Sequence, residues 1–213
     1  MKIDCLCITT SKRKRFKNWL LWNYLKQNYR DKTLVVVSDD DDWPDWVTFV
    51  KTGVEENIPT KRNIALSAAR GDAITWFDDD DWQHVNKLAI IADHVAPDTN
   101  VGCSRSFFFD LFNHKIARVD LGKKPIFNSI GVARYGLPAF AETKIKYSDT
   151  DWLRKLEYRG NYISDTVMSF WITHHNNTSN PIHKIKPSSV MDYYLDGETW
   201  LQLKKLRARL LLG

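Results

Sequence analysis

The sequence predicts an α/β protein with a mostly parallel central sheet flanked by helices and a less regular second half. Three observations point there. Ile3 to Thr10, Thr33 to Ser38 and Ala73 to Phe77 are short, nearly continuous apolar runs, the pattern of strands covered on both faces. The segments between and after them carry helical spacing and capping residues. Each run stops abruptly in hydroxyls or carboxylates, which gathers polar groups at one end of the strands, where open α/β sheets bind ligands. A chain of 213 residues is most simply one domain.

In order, Ile3 to Thr10 is the first strand. The basic run Lys12-Arg13-Lys14-Arg15-Phe16-Lys17 opens a helix reaching about Tyr29. Thr33 to Ser38 is the second strand and runs into Asp39 to Asp42; Trp46 to Val50 is a short third. Ile58 to Gly71 reads as a helix, with Thr60 as N-cap, Ile64, Ala65, Ala68 and Ala69 on one face, and Gly71 as the stop. Ala73 to Phe77 is the next strand and ends in Asp78 to Asp81. Val85, Leu88, Ile91, Ala92 and Val95 mark a helix that stops before Pro97, and Val101 to Phe112 contains another strand. From His114 to Lys146 the pattern weakens, punctuated by Pro125, Gly131, Gly136 and Pro138. A helix capped by Ser148 or Asp149 follows, then strands at Tyr162 to Ser164 and Val167 to Thr173. Asp196 to Leu212 is an amphipathic basic helix.

The stretch with chemical content is Gly71 to Trp82. Four consecutive carboxylates repel one another, so a folded chain offsets them with a cation or spreads them into water. A strand running into acids can hold a hard divalent metal; a solvated acidic loop is the plainer reading. Lys61, Arg62 and Asn63 fall in the first turn of the preceding helix, where free N–H groups favour an anion. A cationic helix start joined by one short helix to an acidic strand end suits a nucleoside diphosphate and its metal.

The run KRNIALSAARGDAITWFDDDDW resembles the core of GT-A-fold, inverting glycosyltransferases of the family 2 type. The resemblance covers Lys2 to Leu88 and again about Tyr147 to Leu156. It implies a Rossmann-like GT-A domain over 1–213: a nucleotide-sugar-binding half at 1–112, an acceptor and catalytic half at 113–195, and a C-terminal helix at 196–213. Asp78 and Asp80 correspond to the family's Asp-x-Asp motif, with Asp79 and Asp81 left as candidates because the run permits a shift of one residue. The resemblance implies donor contacts at Thr9, Thr10, Arg13, Asp39, Asp40, Lys61, Arg62, Asn63, Asp78 and Asp79, and Mn²⁺ or Mg²⁺ at Asp80. Ordinary capping accounts for the two threonines equally well. Asp149 corresponds to the general base, although Ser148 stands where the family usually has Glu; Asp151 is the alternative, and helix-dipole stabilisation explains both acids without catalysis. Of His174 and His175, the second is read as a metal ligand, against a plain surface pair.

The implied activity is metal-dependent, inverting transfer of a sugar from a nucleotide-diphosphate sugar to an acceptor hydroxyl of a saccharide or glycoconjugate. The alternatives are a hydroxymethylated base of viral DNA as acceptor, metal-dependent nucleotidyl or phosphoryl transfer, and a nucleic-acid-binding module. A net charge of +5 and a pI of about 9.0 suit an anionic partner but do not choose among them. Aromatics make up 13% of the chain, with core packing as their default use. Cys5, Cys7 and Cys103 form no paired framework, Met1-Lys2-Ile3-Asp4 lacks a signal peptide's charge pattern, and no apolar run nears membrane-spanning length. A cytoplasmic location is expected, the host cytoplasm of a virus included.

Overall fold

The computed structural model describes residues 1–54, 56–113, 116–122, 124–142, 148–157, 159–174 and 196–212. Its centre is a seven-stranded sheet. In chain order the strands are β1 (Ile3–Ile8), β2 (Lys32–Ser38), β3 (Thr48–Lys51), β4 (Ala73–Trp76), β6 (Thr99–Gly102), β9 (Ile130–Ala133) and β10 (Gly160–Ile163). Their spatial order is β10-β6-β9-β4-β1-β2-β3. All pairings are parallel except those of β9, which runs antiparallel between β4 and β6. A four-stranded sheet, β5-β11-β7-β8, is built from β5 (Trp82–Gln83), β7 (Arg105–Asp110), β8 (Ile116–Asp120) and β11 (Ser169–Thr173).

Alternation along the inner strands explains the layering. Ile3, Cys5 and Cys7 of β1 face one core, shared with Trp19 and Leu20 of α1 (Lys17–Leu25), Leu88 and Ile91 of α3 (Lys87–His94), and Leu203 and Leu206 of α5 (Gly197–Leu212). Leu6 of β1, Ile74 and Trp76 of β4 face the other, shared with Ala65 of α2 (Ile58–Ala68), Trp152 of α4 (Ser148–Lys155) and Leu156 just after it. A strand with a core on each side cannot show the alternation of a half-exposed one, hence the continuous apolar runs. Among the described residues no helix is long and apolar enough to cross a membrane.

Several local expectations are corrected. The basic run is a 3-10 helix, Ser11–Phe16, and the α-helix after it stops at Leu25. The cap of α2 is Asn57, whose Oδ1 accepts from Thr60 N at 2.9 Å, so Thr60 is already inside the helix. Gly71 is not the helix stop, since α2 ends at Ala68. It is required by a close approach: a Cβ there would lie 2.8 Å from Lys2 O, and its N–H donates to Asp4 Oδ2 at 2.6 Å. Val101 to Phe112 is two strands in different sheets. The weakly patterned stretch contains β9, in the middle of the main sheet. Gly131 of β9 leaves room for Ile91 of α3, which a Cβ would meet at 2.5 Å.

Candidate active site

Because β1, β2 and β4 are parallel neighbours, their carboxyl ends share one edge. Thr9, Thr10 and Arg13 follow β1, Asp39 to Asp42 follow β2, and Asp78 to Asp81 follow β4. A cleft of about 310 Å³ opens there, lined by Thr9, Thr10, Arg13, Lys61, Arg62 and Asp78 to Asp80, with Glu56 and Ile58 at its side. The edge is buttressed from below by Lys87, wholly buried, whose Nζ donates to Trp76 O (2.8 Å), Gln83 Oε1 (2.8 Å) and Asn128 O (2.7 Å). An ammonium with three acceptors is the satisfied form of a buried lysine.

The four aspartates have separate jobs. Asp81 is turned into the fold: Oδ2 accepts from Asn128 Nδ2 at 2.7 Å, and its backbone carbonyl accepts from Trp19 Nε1 at 3.0 Å. Burial and the neighbouring carboxylates push its carboxyl well above the usual range. Asp79 accepts from the Thr9 hydroxyl and from Arg13 Nε and Nη2 (2.9 and 2.5 Å). Asp80 Oδ2 meets Arg13 Nη2 at 2.6 Å and His174 Nε2 at 3.0 Å. Burial works to raise the Asp80 carboxyl, but the His174 hydrogen bond and the Arg13 guanidinium outweigh it and hold it below the ordinary range. Asp78 is half-buried and faces the cleft; burial pushes its carboxyl up to about 6 against the pull of Arg62.

Arg62 ties this cleft to α4. Its Nη1 donates to Ser148 Oγ at 2.9 Å, and its Cζ lies 4.4 Å from the ring centroid of Phe127 and 5.2 Å from that of Phe140. Its Nε is buried with no hydrogen-bond partner among the described residues. Burial lowers the guanidinium's pKa against the opposing charges of Asp78 and Asp149. One cation therefore feels both the strand-end carboxylate and the acid in the first turn of α4.

Of the residues expected at the site, Thr9, Thr10, Arg13, Lys61, Arg62, Asp78, Asp79 and Asp80 line one cleft. Lys61 is buried, its Nζ 3.3 Å from Thr9 O. Asn63 lies outside the lining: its side chain clasps the backbone of Phe140, accepting from N at 2.7 Å and donating to O at 3.0 Å. Asp39 accepts from Ser11 N (2.9 Å) and Oγ (2.6 Å), and Asp40 caps Trp43 through its carbonyl at 2.8 Å; neither lines the cleft. Asp149 Oδ1 accepts from Thr150 N at 2.8 Å, and Asp151 pairs with Arg154 at 3.2 Å. His175 lies outside the described residues, whereas its neighbour His174 meets Asp80. Ser148 was read from sequence only as a helix cap, and Asn128 and Lys87 were not singled out. Of those two only Lys87 carried a signal, a lysine four residues before Ile91 on the buried face of α3.

For a divalent cation, the described residues show no group of three or more His, Cys, Asp or Glu side chains arranged to hold it. The Asp80 carboxylate and the His174 imidazole, 3.0 Å apart, are an oxygen and nitrogen donor pair. Two protein donors fit a cation that takes its remaining ligands from a diphosphate, the usual habit of Mg²⁺ with phosphate substrates.

Comparisons with known proteins agree with the fold. The fold is similar to TarS 1-349 of S. aureus in complex with UDP-GlcNAc: TM-score 0.57, 16% identity, covering 100% of this chain and 67% of that one. It is also similar to the mannosyltransferase PcManGT of Pyrobaculum calidifontis in complex with GDP-Man and Mn²⁺: TM-score 0.59, 15% identity, covering 81% of this chain and 56% of that one. Against another TarS structure the TM-score is 0.56 at 16% identity, and the match covers 81% of this chain and 37% of that one. The chain thus spans about a third to two thirds of the length of these proteins. No curated protein sequence matches it significantly. The family model for glycosyl transferase family 2 matches residues 20–143, and the chain belongs to that family.

Proposed function

We propose that the protein transfers a glycosyl group from a nucleotide-diphosphate sugar to an acceptor hydroxyl, with a saccharide or glycoconjugate as acceptor. The observation that carries this reading is the cleft itself. Lys61 and Arg62, one turn into α2 rather than in its first turn, face Asp78 and Asp80 across it, and Arg62 donates a hydrogen bond to the first residue of α4, next to Asp149. Family membership supports the reaction class, and similar folds bound to UDP-GlcNAc and GDP-Man support the donor class.

In the mechanism, Lys61 and Arg62 attract and orient the donor's diphosphate. Asp149 takes the proton of the acceptor hydroxyl, and the freed oxygen attacks the anomeric carbon. The bond from that carbon to the diphosphate oxygen breaks as the new bond forms, and its electron pair leaves with the nucleoside diphosphate. A single displacement without an enzyme nucleophile inverts the anomeric centre. Asp80 and a histidine, His174 or His175, would hold Mn²⁺ or Mg²⁺, which supplies Lewis-acid neutralisation of the diphosphate when bound. Asp79 and Asp81 are each engaged within the fold, which favours glycosyl transfer over two-metal nucleotidyl or phosphoryl transfer.

The test is thermal denaturation with UDP-GlcNAc and GDP-Man, each with and without Mn²⁺. A nucleotide sugar should raise the melting temperature only with the metal, and Asp80→Ala should remove at least about tenfold of the affinity. A shift equal in EDTA, or an unaffected Asp80→Ala, would overturn the metal assignment. No shift with any nucleotide sugar would overturn the reading.

One observation favours a second acceptor class. The basic helix α5 packs against the 3-10 helix, which brings together two elements rich in Lys and Arg and distant in sequence. A phosphodiester polymer, such as DNA carrying hydroxymethylated bases, would suit that surface. Binding that falls steeply from low to physiological salt would support it; indifference to DNA at low salt would dismiss it.

A further inference from the structure

A second concavity, about 550 Å³, lies along α4 and shares no lining residue with the donor cleft. Its floor is Asn100 of β6 with Ile130 and Leu156, and its walls include Thr150 and Leu153 of α4 and Asn161 of β10. Its size is within the range of small-molecule sites. Asn100 is 2% exposed; its Nδ2 donates to Asn161 Oδ1 at 3.3 Å and Leu156 O at 3.4 Å, while its Oδ1 is buried with no hydrogen-bond partner among the described residues. A buried amide oxygen left unpaired is a cost that a donating ligand would relieve.

The lining also selects the chemistry. Lys124 at the rim pairs with Glu157 at 3.1 Å, and Arg154 pairs with Asp151 at 3.2 Å, so the cations here are already matched. An anion would have to break these pairs. What remains are amides and a hydroxyl above aliphatic surface from Leu121, Pro125 and Leu153, a match for hydroxyl groups alternating with C–H faces. At about 100° per residue, Asp149 projects between two flanks of α4. One flank, with Ser148 and Trp152, meets Arg62 and the aromatic cluster around it. The other, with Thr150, Leu153 and Arg154, lines the groove.

We propose that this groove is an acceptor subsite that holds a neutral saccharide chain and leads its terminal hydroxyl toward Asp149. The proposal rests on the glycosyl-transfer reading for its purpose, but its binding test does not. The whole protein is applied to a printed array of neutral and acidic oligosaccharides beside two variants, Asn161→Trp on the edge strand and Thr150→Trp at the exposed start of α4. Both place a large ring over the groove from surface positions, and their own melting temperatures separate misfolding from loss of binding. The wild type should capture neutral oligosaccharides, and a folded variant should bind them at least about tenfold more weakly. A wild type that captures nothing, or only acidic glycans, overturns the proposal, as do folded variants that bind as well as the wild type. The nucleotide-sugar melting shift is measured on the same wild-type protein. Saccharide capture without that shift leaves the subsite standing and sinks the transfer reading, whereas the shift without capture sinks the subsite alone.

Discussion

Arg62→Met separates function from stability more sharply than any other single change at the cleft. The substitution keeps an unbranched chain of similar length but removes the guanidinium. It removes the 2.9 Å bond from Nη1 to Ser148 Oγ, worth about 1.5–3 kcal/mol as a charge-assisted hydrogen bond. It also removes the stack on Phe127 at 4.4 Å, worth about 0.5–2 kcal/mol. Against those losses, the buried and unpartnered Nε disappears, which recovers about 1–3 kcal/mol, and a cation no longer has to be desolvated. The terms nearly cancel, so the variant should unfold within about 2 kcal/mol of the wild type. Transfer has no such offset. A lost charge-assisted contact to the diphosphate of about 1.5–3 kcal/mol corresponds to roughly 10- to 150-fold in kcat/KM. Denaturant unfolding and donor turnover would be measured on the same preparation. Full activity would refute the assigned role, and so would destabilisation beyond about 4 kcal/mol with activity tracking the folded fraction.

Three further outcomes are expected. Asp149→Asn should abolish transfer while leaving nucleotide-sugar binding intact by calorimetry; retained transfer would move the base to Asp151, and lost donor binding would assign Asp149 to the donor site. Asp78, whose folded carboxyl titrates at about 6 against an ordinary 3.8, binds its proton more tightly when folded. Its contribution to stability is therefore fully present below pH 3.8 and lost as pH rises through 6. Asp78→Asn, which mimics the protonated form, should match the metal-free wild type in melting temperature near pH 3.8 and exceed it at pH 7; the reverse order at pH 7 would show that the charged form is the stabilised one. Lys87→Met leaves three acceptors without their donor and should cost about 3 kcal/mol, roughly 6–12 °C in melting temperature, with donor binding weakened because the end of β4 loses its support. An unchanged melting temperature would mean the three acceptors find other partners.

Residue order alone revealed the α/β class, the strands β1, β2 and β4, and the acidic and cationic segments of the cleft. Those signals are local: a strand with a core on each face is apolar throughout, and a helix start next to a strand end needs only a short connection. The acidic run showed that some of Asp78 to Asp81 would matter, but its members are chemically alike in sequence. Only the folded chain separates them, because Asn128 takes Asp81, Thr9 and Arg13 take Asp79, and His174 takes Asp80. These partners come from segments far apart in the chain. The same holds for β9, whose few residues look like loop until antiparallel pairing with β4 and β6 places them mid-sheet. Asn63 and Asn57 make the point at closest range. Both polar residues sit near the start of α2, yet Asn57 caps the helix and Asn63 reaches across to Phe140, a distinction set by where the distant chain passes. Long-range packing chooses which of several equivalent polar groups faces a ligand, and local pattern carries no record of that choice.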